Sequence, residues 1–141
     1  MANFRDEPVM GRPTEFGDLS PWTLERSEFM GVSAMPVRCF PVTLRGQVIG
    51  CLWGAEETDA ADFYPGRGMG VVGWDARGPW RRRLKEARDA GFSAWEAVQL
   101  WVGEPEDPRG GGVFADAEEH VLPNSEAVYG LARRLVEEQG R

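Results

Sequence analysis

The chain has almost no lysine: among its 16 basic residues only Lys85 is one, and it also has a single isoleucine (Ile49), two asparagines (Asn3 and Asn124) and one histidine (His120). Residues with AT-rich codons are the ones avoided, which points to a GC-rich bacterial genome and says nothing of activity. The net charge of -7 leaves positive charge scarce. Nucleic-acid binders draw most of their affinity from Lys and Arg on phosphates, so no nucleic-acid partner is expected. No apolar run approaches the ~20 residues of a membrane-spanning helix, and the start lacks the basic-then-apolar order of a secretory signal. A soluble cytoplasmic protein with no membrane partner is the expectation, and its two cysteines, Cys39 and Cys51, are expected as free thiols.

What the 141 residues do contain is enough for one core: 42% are hydrophobic and 28% charged, within the globular range. Residues 1–19 carry Pro8, Pro13, Gly11 and Gly17 without periodicity and read as a flexible N-terminal arm. A single domain is expected over 20–141. Ser20, Pro21 and the spacing of Trp22, Arg26 and Phe29 predict a short helix over "SPWTLERSEFM".

The most structured segment is "FPVTLRGQVIGCLWGA", residues 40–55, two apolar arms around Gly46 with Arg45 as the only charge. A two-residue turn at Arg45-Gly46 sets Cys39 against Leu52 and Cys51 against Phe40, with the sulfurs on opposite faces. A three-residue turn sets Cys39 against Cys51. The first register gathers Phe40, Val42, Leu44, Ile49, Cys51 and Trp53 on one face, and burial of that richer set favours it. Pro41, lacking an N–H, marks the first arm as an edge strand or a bulge.

Beyond the hairpin, "EETDAADFYPG" begins with acids and Thr58 and predicts a short helix ended by Pro65-Gly66. "MGVVGW" reads as a brief third strand. Helical spacing of Trp80, Leu84 and Ala87, closed by Gly91, predicts a helix near 79–90. Ser93 and Glu96 form a capping box for a helix near 94–102. "GEPEDPRGGG" is a loop or hinge, "VFADAEEHVL" a strand or extended lead-in, and Val128, Leu131, Ala132 and Leu135 stripe a last helix near 125–138. The fold class is α+β: a small antiparallel sheet built on the hairpin at 37–54, covered by about three helices.

Pro41, Gly46 and Gly50, with Val48-Ile49 and Cys51-Leu52, resemble the central hairpin of GAF domains, which are small-molecule sensor modules. The resemblance covers the hairpin alone. Tandem helices and a glycine loop follow where a GAF domain would continue its sheet, and no binding residue is carried over.

Candidate chemistry is thin. Cys39 or Cys51 with His120 is the only cysteine-histidine pairing, but both thiols sit in apolar strands and read as core. His120 behind Asp116, Glu118 and Glu119 lacks a second spaced ligand motif, so no metal is expected, and no cofactor. "GRGMG", residues 66–70, precedes a strand-like run, whereas a phosphate loop follows a strand and opens a helix; a turn is expected. Carboxylates at Glu56, Glu57, Asp59 and Asp62 could act as acid and base only if buried.

Arg81, Lys85 and Arg88 share the helical spacing of the Trp80 stripe and offer a face for an acidic partner or a phosphate. The six tryptophans offer stacking surfaces or interface anchors, above all Trp53 and Trp74. The leading expectation is a non-catalytic module for a protein partner or a small ligand, with Trp53, Trp74, Arg81, Lys85 and Arg88 as its binding residues. One rival is a small enzyme using His120, Asp59 and Asp62 in an aromatic pocket. Another is an immunity or antitoxin-like protein steered onto a basic partner, and an edge strand with spare tryptophans leaves room for a homodimer.

Overall fold

A computed structural model describes residues 28–140. The expected arm at 1–19 and most of the expected helix at 20–30 lie outside the described residues. Four strands form one antiparallel sheet in the order β3-β2-β1-β4, from β1 (Val37–Leu44), β2 (Gln47–Ala55), β3 (Ala61–Pro65) and β4 (His120–Leu122). Helices α1 (Gly70–Asp89), α2 (Ala94–Gln99) and α3 (Glu126–Gln139) complete an α+β fold.

The sheet is buried on both faces, which a single amphipathic hairpin face does not anticipate. One face carries Phe40, Val42, Leu52 and Phe63 against Trp80 and Leu84 of α1 and Val98 of α2. The other carries Cys39, Cys51, Trp53 and Tyr64 against Val128, Leu131 and Ala132 of α3. Strands enclosed in this way read as continuous apolar runs, so their alternation is hidden.

The hairpin turn is the two-residue form. Arg45 (φ 51°) and Gly46 (φ 84°) both take positive φ, the requirement of a turn whose twist matches the strands, and only glycine does so without strain. The ladder nevertheless follows neither expected register. After Thr43↔Val48 the pairing skips Ile49 and continues as Val42↔Gly50, Phe40↔Leu52 and Cys39↔Trp53. This bulge turns Cys51 and Trp53 away from Phe40, Val42 and Leu44, and it places both cysteines on the α3 face as diagonal neighbours. The expected single-face set is thereby corrected: the bulge lets the hairpin fill two cores.

Two segments exchange types relative to expectation. "ADFYP" is β3, because Ala61 and Phe63 face α1 while Tyr64 faces α3, a period of two in which nearly every position is buried. "GVVGW" is the start of α1. The stripe Trp80, Leu84, Ala87 runs backward through Ala76 and Gly73, and this packing overrides the strand preference of Val71-Val72. Gly73 has a packing reason, since a Cβ there would lie 2.9 Å from the Pro65 Cβ.

The glycine loop ties α1 to the sheet. Pro79 inside α1 leaves the Asp75 carbonyl without its helical donor, and Arg109 Nη2 donates to it at 3.4 Å. Trp80 Nε1 donates to the Gly110 carbonyl at 2.6 Å, and Thr43 exchanges two backbone hydrogen bonds of 2.8 Å with Gly112. Thr43 N–H therefore points away from β2, and the missing donor of Pro41, two residues back, falls on the same outer edge of β1, between the Gly112 bridge and β4.

Candidate functional site

The expected acid–base set does not assemble. Asp62, Trp53, Cys39 and His120 are successive partners in one row across the four strands, so Asp62 and His120 stand at opposite edges, about 15 Å apart by strand spacing. Trp53 fills the space between them, fully buried, edge-on to Tyr64 at 5.3 Å. His120 lines neither of the two cavities described below. The register does set His120 opposite Cys39, but Cys39 is fully buried and no hydrogen bond joins the two. The hydrogen bond with the Cys39 thiol, helped by burial, pushes the Cys51 thiol well up, the reverse of what a nucleophile needs. The two thiols are core.

Asp62 belongs to the strand edge. Its carboxylate accepts the Phe63 N–H at 2.8 Å, the Met30 carbonyl takes the Ala61 N–H at 3.0 Å, and Pro65 has none to offer. None of the three outward positions of β3 thus has a free N–H to donate to a further strand. Burial raises the Asp62 carboxyl above its usual value, against the Phe63 N–H and the Arg81 guanidinium, which favour the charged form.

The basic face of α1 is turned inward electrostatically. Arg81 meets Asp62 at 3.5 Å, Lys85 meets Asp89 at 2.9 Å, and Arg88 meets Asp59 while its guanidinium lies 5.1 Å from the Phe29 ring centroid. Arg81 and Lys85 line a small cavity of about 170 Å³ that also includes Asp62 and Glu28, so acids of this chain already balance them. Trp53, expected as a binding residue, touches no solvent and is corrected to core.

Trp74, also expected as a binding residue, is 63% exposed and lines the larger cavity, about 650 Å³, between the loop 66–70 and α3. Its floor is glycine-rich, and its walls bring Arg67, Arg77 and Arg133 together with Tyr129 and Glu126. Three guanidinium groups against one carboxylate leave a positive excess in a protein of net charge -7. None of the three arginines meets a carboxylate within ion-pair distance among the described residues. Arg77 lies across the Trp74 ring at 4.8 Å from its centroid, with its Nε buried and unpartnered.

The loop reverses an expectation. Because β3 precedes "GRGMG" and α1 follows it, the order is strand, glycine loop, helix, the arrangement in which first-turn N–H groups meet an anion. Met69, at the N-cap, provides no side-chain cap, and no acid occupies the first turn. Gly66 is held against α3, where a Cβ would lie 2.5 Å from Val136 Cγ2. Sequence reasoning missed Arg67, Arg77, Arg133 and Tyr129; the strand–glycine–helix order was the available signal, and the wrong element on either side concealed it.

Comparisons with known proteins add no relative: no family model, curated protein or solved structure matches this chain. The hairpin likeness to GAF domains therefore stands alone and carries no functional argument. Among the described residues no helix is long and apolar enough to cross a membrane, and no group of metal-ligating side chains occurs.

Proposed function

We propose that the chain is a non-catalytic binding module whose ligand is a small anion seated in the cleft between loop 66–70 and α3. One observation carries the reading: Arg67, Arg77 and Arg133, each without a carboxylate partner among the described residues, surround one 650 Å³ cavity that two exposed rings also line. That volume falls within the range of ordinary small-molecule sites. Binding is favoured over acid–base catalysis because Asp59 and Asp62 are each engaged by an arginine and His120 lies at the far sheet edge. A small ligand is favoured over an acidic protein docked on Arg81, Lys85 and Arg88, whose charges are met internally. Two unpaired buried thiols fit a cytoplasmic setting.

The test is a thermal-shift screen at low ionic strength with phosphates, sulfates and polycarboxylates beside neutral analogues of the same size. A ligand that binds only the folded state raises the melting temperature. The expected result is stabilisation by anions alone, lost in the Arg67→Ala, Arg133→Ala double variant. Equal shifts from the neutral analogues, or none from any anion, reject the reading.

A further inference from the structure

We infer that the ligand of this cleft is a nucleoside phosphate, a phosphoryl group joined to a flat ring; this rests on the anion-binding reading and narrows it. Guanidinium groups present paired N–H donors that match phosphate oxygens, and an excess of two positive charges suits a phosphate dianion. A phosphate alone would leave most of the 650 Å³ empty.

The rest of the cavity is built for a ring. Tyr129 is 53% exposed, yet one face of it is stacked on Tyr64, with centroids 3.9 Å apart and planes 6° from parallel. Tyr64 is itself anchored by its hydroxyl, which donates to the Gly31 carbonyl at 2.6 Å. Trp74 is held in the same way by Arg77 across its ring. Each exposed ring is thus supported by the protein and positioned before any ligand arrives, and a ring held in this way offers its open face to any base, since every base has a π-face.

Gly130 supplies an independent pointer. It lies inside α3 beside Tyr129 and lines the cavity, and a Cβ built on it meets nothing within 4 Å. Neither packing against the described residues nor backbone conformation asks for glycine there, and a helix interior disfavours it. A flat ligand passing close over α3 gives the missing side chain a use.

Isothermal titration calorimetry at low ionic strength, with the four common nucleoside 5′-monophosphates and diphosphates, the free nucleosides, inorganic phosphate and citrate, tests the assignment on the full chain. At least one nucleotide should bind, and its nucleoside and free phosphate should each bind at least about tenfold more weakly, as loss of a charge-assisted contact implies. Arg77→Ala and Arg133→Ala should each weaken the nucleotide by about tenfold or more. Gly130→Leu, a helix-favouring change that fills the cavity, should abolish binding without lowering the melting temperature, which separates loss of the site from loss of the fold. Citrate binding as tightly as any nucleotide, with dependence on Arg133, would overturn the nucleotide assignment and leave the anion reading standing. A nucleoside equal to its nucleotide overturns both, as does no binding by any compound.

Discussion

Replacing Gly130 by alanine should make the unliganded protein more stable, which is the opposite of what most substitutions do. The residue sits one turn into α3, exposed, and the added methyl would meet no atom within 4 Å. No clash opposes the change and little apolar area is buried by it. What remains is the helix preference of alanine over glycine, about 0.8–1 kcal/mol, arising chiefly from the freedom glycine loses on folding. That corresponds to a rise in melting temperature of roughly 3–5 °C for a domain of this size. Gly66 lines the same cavity and provides the contrast, since its Cβ would meet Val136 Cγ2 at 2.5 Å. Gly66→Ala should therefore destabilise, by about 1–3 kcal/mol as an overpacked site does. Urea denaturation followed by tryptophan fluorescence reads both, with the slope m unchanged because neither substitution alters the surface exposed on unfolding appreciably. A destabilised Gly130→Ala, or a neutral Gly66→Ala, would refute the claim that one glycine is there for packing and the other is not.

Further expectations follow from the buried groups. Trp53→Ala should cost about 3–5 kcal/mol by denaturant titration and so act as a stability mutation, because the ring is wholly enclosed under α3; a loss below about 1 kcal/mol would contradict that placement. Gly111→Ala should cost about 1–3 kcal/mol, since φ there is 76° and a Cβ would lie 2.4 Å from the Thr43 carbonyl oxygen; unchanged stability would show the loop to be free of β1. Asp62 binds its proton more tightly folded than unfolded, so its contribution to stability declines as pH rises from the ordinary carboxyl value through the raised one, and returns on acidification. Asp62→Asn should accordingly be at least as stable as the parent at pH 7, with an advantage that shrinks as pH falls through that window; a marked loss at pH 7 would mean the Arg81 pair outweighs desolvation.

The parts of the fold that were legible in the sequence are those governed by neighbours close along the chain. The Arg45-Gly46 turn, the Ser93–Glu96 capping box and the stripe of α3 each depend on residues a few positions apart, and each stands as expected. The errors share another cause, burial on two faces. Phe63 and Tyr64 serve different cores, so β3 lost its polar alternation and its acidic lead-in suggested a helix. Val71-Val72 suggested a strand because the small residues Gly73 and Ala76, which carry the stripe under α1, look uninformative on a hydrophobicity pattern. The Ile49 bulge was hidden because the single-face pattern looked richer without it. For the site, the same two mistakes stripped "GRGMG" of its flanking strand and helix, while Arg133 and Tyr129 lie some sixty residues away and only tertiary structure unites them. The pairing of Arg81 with Asp62 and of Arg88 with Asp59 is equally non-local, so a helix face that is internally balanced looked available.

The distribution of arginines separates architecture from the proposed site. Arg38, Arg81, Arg88 and Arg134 each meet a carboxylate, Arg83 lies over the Trp80 and Trp101 rings, and Arg109 serves the carbonyl orphaned by Pro79. Of those that meet no carboxylate among the described residues, Arg67, Arg77 and Arg133 converge on one cavity, with Arg77 also lying over the Trp74 ring that lines it. Three like charges around a concave, partly apolar space repel one another, and an otherwise acidic protein holds carboxylates enough to have relieved them. Salt should therefore act with opposite signs on the two states. Raising ionic strength past about 0.15 M screens the repulsion over a Debye length near 8 Å and should stabilise the empty protein, while it weakens the attraction that draws an anion in. Melting curves at 20 mM and 500 mM salt, with and without a bound nucleotide, should show the ligand-induced shift shrinking as the baseline rises. A ligand-induced shift that is indifferent to salt would mean that the rings, and not the arginines, hold the occupant.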